Sequence, residues 1–185
     1  MTMEAIKQIE ANKVLKIILI TIAGTLLLTV SAKIKIPFYP VPMTMQTFVV
    51  LFLGIVLGPK ISLLTISLYL FEGIFGLPVF AGTPEKGIGF MYFIGPTMGY
   101  LIGFLIAAYF SGSFKYDKGF INTFFKLIFS VSFIYIFGLL WLGHLIGWDK
   151  PIFELGVKPF LLAELFKILI LSIIVGSLNK IKKFI

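Results

Sequence analysis

Near the end of the chain, "KPFLLAELFKILILSIIVG" (Lys158 to Gly176) sets Glu164 and Lys167 three residues apart inside an otherwise apolar run. Residues three apart on a helix share a face, and an acid on the N-terminal side suits the helix dipole. A lone charge inside a bilayer costs about 2.5–3.5 kcal/mol on the insertion scale, so each of these two needs a compensating partner. Two chemistries fit. One is a self-satisfied ion pair that fixes helix packing. The other is a binding site that offers a charged acceptor and a charged donor to a small molecule. Ionisable residues inside membranes mark sites and pathways by default, which favours the second.

Glu72, in "YLFEGIFG", is a third acid within an apolar segment, either a further member of that network or an interfacial residue. The chain has no cysteine, which excludes disulfides, thiolate metal sites and cysteine nucleophiles. Its one histidine, His144, has no second histidine at metal-binding spacing and reads as a helix-end residue. "GIVLGPKIS" fails as a phosphate loop because it lacks the four-residue gap and the Gly-Lys adjacency. The residues therefore describe no enzyme, no cofactor and no ATPase of the chain's own.

The elements that must position Glu164 and Lys167 are membrane helices. A chain of 185 residues that is 59% hydrophobic and 13% charged cannot hide its apolar surface in one soluble core. Its long uncharged runs predict six transmembrane helices, an all-α fold, at about 14–32, 44–58, 61–75, 94–110, 120–145 and 159–178. The expected organisation is a cytoplasmic N-terminal segment over 1–13, a six-helix transmembrane domain over 14–179 and a basic cytoplasmic tail over 180–185. "GPK" (Gly58 to Lys60) predicts a tight turn between the second and third spans. The acidic N-terminus lacks a small-residue cleavage site and so is not expected to be a signal peptide.

All 16 basic residues are lysines and the net charge is +8. Their place at span ends fits topogenic charge in a lipid bilayer, not a nucleic-acid surface. Placing both termini inside puts ten lysines inside and five outside. This bias predicts a multi-pass protein of the cell (inner or plasma) membrane with cytoplasmic termini. The outer connections are then long and rich in Pro, Gly and aromatics, fit to form the lid or rim of a site. A stripe of Gly95, Gly99, Gly103, Ala107 and Ser111, with Gly54 and Gly58 as a shorter copy, predicts close helix packing.

Four stretches carry a resemblance: "VPMTMQTFVVLFLGIVLGPK" (Val41 to Lys60), "GLPVFAGTPEKGIG" (Gly76 to Gly89), "GPTMGYLIGF" (Gly95 to Phe104) and "PFLLAELFK" (Pro159 to Lys167). In order and over nearly the whole chain, apart from the N-terminal residues and the fifth span, they resemble the BioY family. These are the biotin-binding S components of energy-coupling-factor (ECF) transporters. The resemblance implies an S-component-like bundle of six helices, a vitamin pocket near the outer surface, and transport with a membrane coupling subunit and an ATPase pair. It puts the family's acid-and-lysine motif on Glu164 and Lys167, where the family more often has aspartate at the first position. It also draws ligand contacts from the glycine-rich loop around Gly82 and Thr83. The family's first helix docks the coupling subunit through two alanines four apart, where this chain offers Ala23 with Leu27 and Thr25 with Thr29.

Biotin's chemistry suits the residues available. Glu164 can accept the ureido N–H groups, Lys167 can neutralise the carboxylate, and Gln46 can donate to the ureido oxygen. Phe38, Tyr39, Phe80, Tyr92 and Tyr100 can wall the apolar ring or belong to the interfacial belt. The candidate site is thus Glu164, Lys167, Gln46, Gly82, Thr83, Phe80, Tyr100 and Glu72. An S component for thiamine or riboflavin, and a structural membrane protein without a ligand, are the alternatives. A lone chain, a homo-oligomer and a complex with coupling subunits all remain open as the working form.

Overall fold

The computed structural model describes residues 3–82 and 88–181, with side chains described over 12–82 and 88–175. Helix α1 spans Met3–Lys33, α2 Gln46–Ile74, α3 Phe90–Phe93, α4 Met98–Ser113, α5 Gly119–Ile146, α6 Ile152–Gly156 and α7 Leu161–Ile181. A two-residue ladder joins β1 (Lys35–Ile36) to β2 (Met43–Thr44), antiparallel, with Lys35 opposite Thr44. Among the described residues the fold is all-α apart from this ladder.

Helix α2 is a hairpin of two arms. Gln46 at its start donates a 2.7 Å hydrogen bond to the Tyr69 hydroxyl. In a straight helix those residues would lie about 35 Å apart at 1.5 Å per residue. The chain reverses at Gly58, whose φ of 74° suits glycine, and Pro59 then starts the second arm. The turn predicted at Gly58 to Lys60 is therefore present, and six apolar helical segments result. α1 and α5 are each long and apolar enough to cross a membrane, and α2 is so only when its two arms are counted together.

The helices pack through small residues. α2 lies against α1, α4 and α7, and α5 lies against α4 and α7. The stripe on α4 divides between two neighbours. A Cβ on Gly99 would come within 2.2 Å of the Phe137 carbonyl oxygen on α5, whereas Ser111 abuts Gly54 on α2. Lipid-like exposure covers the opposite surfaces: Leu15, Leu19, Leu26 and Val30 on α1, and Ile170 and Ile173 on α7, are all exposed. Water would penalise such a surface, and hydrocarbon does not.

Successive reversals bring three connections, 34–45, 75–97 and 147–160, to one end of the bundle. Three prolines keep 37–42 out of helix, and the ladder closes that excursion into a loop. Helical turns also appear where irregular chain was expected: α3 and α6 lie within the second and third of these connections. Pro96 delays α4 to Met98, four residues later than its predicted start. At the far end, α1 runs out to Met3 and α7 on to Ile181, so the N-terminal segment is helical from Met3 onward.

Replacing Gly99 by leucine should lower stability by roughly 3 kcal/mol through overpacking against the α5 backbone. The expected readout is a thermal midpoint several degrees lower in detergent, while Ile173→Leu, on a 70% exposed face, leaves the midpoint unchanged.

Candidate functional site

A cavity opens among these three connections and the helix ends beneath them. Its walls are the 41–44 strand, the first turn of α2, Phe80 and Ala81, the start of α4, Ile134 and Tyr135 of α5, and Phe160, Glu164 and Lys167. About 570 Å³ of free space lies between the walls, open solvent at the mouth included. A second cleft of about 1280 Å³ lies outside it, lined by Lys35, Phe38, Tyr39, Gly82 and Met91 among others. Pro42, Ala81, Tyr92 and Thr97 line both, so they form the partition between chamber and vestibule.

Helix α7 begins at Leu161, which sets Glu164 and Lys167 about one and two turns from its end. Both are buried, at 4% and 8% exposure. The Glu164 Oε2 atom accepts hydrogen bonds from Thr47 Oγ1 (3.0 Å), the Tyr135 hydroxyl (2.9 Å) and Lys167 Nζ (3.3 Å). Lys167 Nζ also donates to the Thr44 carbonyl (2.8 Å) and to Thr47 Oγ1 (2.9 Å). An ammonium has three N–H groups, and these three acceptors use them all. The other carboxylate oxygen differs. Glu164 Oε1 is buried and has no hydrogen-bond partner among the described residues. A buried, charged acceptor left open beside a cavity is costly unless a donor arrives.

A further polar residue of the wall is Gln46, at the first position of α2. Its Oε1 accepts from the Thr44 hydroxyl, and its Nε2 donates to Tyr69, which donates in turn to the Val79 carbonyl. One amide N–H of Gln46 is left over. The apolar walls are aromatic. Phe80 stacks on Tyr92 at 5.4 Å and meets the Tyr69 edge at 5.4 Å, and Tyr100 is fixed by donating to the Gly156 carbonyl at 2.8 Å. Burial pushes the Tyr92 phenol above its ordinary range.

Of the residues expected from the sequence, Glu164, Lys167, Gln46, Phe80 and Tyr100 all line the chamber. Tyr92 lines both spaces, and Gly82, Phe38 and Tyr39 line the vestibule. Thr83 lies outside the described residues. Glu72 is not brought to the others: it accepts from Thr25 of α1 at 3.2 Å and lines neither space. Sequence reasoning missed Thr44, Thr47, Tyr69 and Tyr135. The two threonines flank Gln46 in "TMQT", a polar cluster at a helix start, and Tyr135 is a polar interruption in the apolar "SFIYIF".

The family model described as the BioY family matches residues 3–184, so the chain belongs to that family. The "Probable biotin transporter BioY" of Pyrococcus horikoshii is 38% identical over 76% of this chain and 82% of its own length. The "Biotin transporter BioY" of Thermotoga maritima is 34% identical over 85% of this chain and 92% of its own. A crystal structure of the S-component for biotin from an ECF-type ABC transporter superposes with a TM-score of 0.75. It shares 24% identity and covers 91% of this chain and 93% of the other, a likeness of fold.

The network makes a prediction about stability separable from binding. Lys167→Met alone strands an ionised Glu164 and should cost about 3–5 kcal/mol, whereas Glu164→Gln with Lys167→Met removes both charges and should recover most of that loss. Thermal unfolding of the three proteins in detergent reads the difference.

Proposed function

We propose that this BioY-family chain is the substrate-capture subunit of a vitamin transporter, and that it takes biotin into the chamber between the three connections. The observation that carries this reading is the open Glu164 Oε1. Biotin's ureido ring presents two N–H donors, and a buried carboxylate oxygen without a partner is the acceptor they match, giving a charge-assisted hydrogen bond. The leftover N–H of Gln46 suits the ureido oxygen, and Phe80, Tyr92, Tyr100 and Phe160 supply apolar cover for the fused rings. Thr47, Tyr135 and Lys167 donate to the other oxygen of Glu164 and hold the carboxylate oriented for the ligand.

In this reading the chain is a transport component and not an enzyme. It is a multi-pass membrane protein whose six apolar segments are its spans. The chamber end faces outward and both termini face the cytoplasm, as the distribution of lysines favours. Energy comes from a membrane coupling subunit and an ATPase pair on other chains. For their docking, α1 offers Ala23 and Leu27 on its exposed face. Thr25 and Thr29 are turned the other way: Thr25 is buried and bonded to Glu72, and Thr29 donates to the Thr25 carbonyl.

Equilibrium binding of labelled biotin to the detergent-purified chain tests the assignment. Saturable binding displaced by unlabelled biotin, and not by thiamine or riboflavin, is expected. Glu164→Gln should weaken it at least tenfold, on the order of one charge-assisted hydrogen bond. Displacement by thiamine or riboflavin would reassign the vitamin. Absence of binding by folded protein would leave Glu164 and Lys167 a packing device.

A further inference from the structure

Resting on biotin capture, we infer that the ligand's carboxylate is received at the mouth by Lys35, supported by Lys33, so that the vitamin enters ring first.

The inference starts from counting donors. Lys167 has none to spare, and its charge is matched by Glu164 at 3.3 Å, so the floor of the chamber is a neutral pair with one open acceptor. A second carboxylate placed there would meet Glu164 as a like charge and would find no free N–H on Lys167. The ureido end suits the floor and the acid end does not.

The mouth has the opposite character. Lys35 lines the vestibule, and its Nζ donates to the Ala81 carbonyl. Lys33 Nζ donates to the preceding carbonyl, that of Phe80, at 2.6 Å. Each lysine thereby uses one of its three N–H groups, and among the described residues neither has a carboxylate partner. Two ammonium groups thus sit on consecutive carbonyls of the segment that separates chamber from vestibule, with donors left over and no carboxylate partner among the described residues. An anion in the vestibule meets the N–H groups that Lys35 has left, and Lys33, which lines neither space, adds positive charge from behind the Phe80 carbonyl.

The reach is set by the β-ladder. Lys35 stands directly opposite Thr44, and the Thr44 carbonyl is the acceptor that holds Lys167. Cα atoms facing each other across an antiparallel pair lie about 4.5–5.5 Å apart. The mouth cation is therefore one strand removed from the polar floor, and the partition residues Pro42, Ala81, Tyr92 and Thr97 lie in the same wall. A fused ring with a flexible acyl tail fits this arrangement, the ring in the aromatic chamber and the tail passing Ala81. Because Lys35 keeps two N–H groups after bonding Ala81, it can take the carboxylate without releasing the loop. Bound acid would then tie the 80–81 segment, through the lysines, to the ligand beneath it.

The test compares biotin with its primary amide, which has the same ring and tail without the charge, on wild type, on Lys33→Met/Lys35→Met and on Lys33→Arg/Lys35→Arg. Wild type should bind biotin at least about tenfold tighter than the amide, the scale of a charge-assisted contact. The methionine pair should bring that ratio close to one, and the arginine pair should keep it. A methionine pair that preserves the wild-type ratio overturns the inference and assigns these lysines to lipid headgroups or loop packing. A wild type that does not distinguish acid from amide overturns it equally, with biotin capture intact. Failure of wild type to bind either ligand instead removes the capture reading on which the inference rests.

Discussion

The end of the bundle that holds the cavity is organised by one constraint: two opposite charges sit where little solvent reaches them. Lys167 meets that constraint by engaging every N–H it has, on a backbone carbonyl, a threonine and Glu164. Those acceptors come from β2, α2 and α7, so one ammonium fixes three elements around a common point. Glu164 extends the web to α5 through Tyr135. The β1–β2 ladder, the α2 start and the α7 start are thereby held in register, and the cavity is the space they enclose. A buried pair of this sort contributes little net stability compared with a well-packed apolar replacement. Its use is positional, and the oxygen it leaves open is where the ligand is expected.

Close helix contact makes the positioning rigid. Reversal at Gly58 returns Tyr69 to the level of Gln46, and small residues on α4 let α2 and α5 approach to backbone distance. The chamber walls are then contributed by elements that cannot slide past one another without clashing. The mobile-looking chemistry, long lysines and loop carbonyls, is confined to the mouth. Chamber and mouth differ in electrostatic character: a neutral floor with one open acceptor, and a cationic rim whose lysines have no carboxylate partner among the described residues.

Much of this was legible in the sequence because its signals were local. Apolar runs marked the helices, "GPK" marked the reversal, and a charge pair in hydrocarbon demanded an explanation. What was not legible depended on partners far apart in the chain. Nothing near Glu72 says that it meets Thr25 of α1 and not Lys167, 95 positions further on. Tyr135 lies in the span with the least distinctive pattern, and its role exists only because α5 packs beside α7. Lys167 was expected to serve a ligand carboxylate because two of the three acceptors that occupy it, the Thr44 carbonyl and Thr47, lie more than a hundred residues away. Hydrogen-bond saturation is a tertiary property, and it decides which end of a ligand each charge can serve.

The most direct measurement is a structure of the purified chain with biotin bound, at a resolution that distinguishes the ureido ring from the carboxylate. The account predicts a ureido nitrogen at hydrogen-bond distance, about 2.7–3.2 Å, from Glu164 Oε1, with the carboxylate at Lys35. A reversed ligand, carboxylate against Lys167 and ring toward the vestibule, would contradict it.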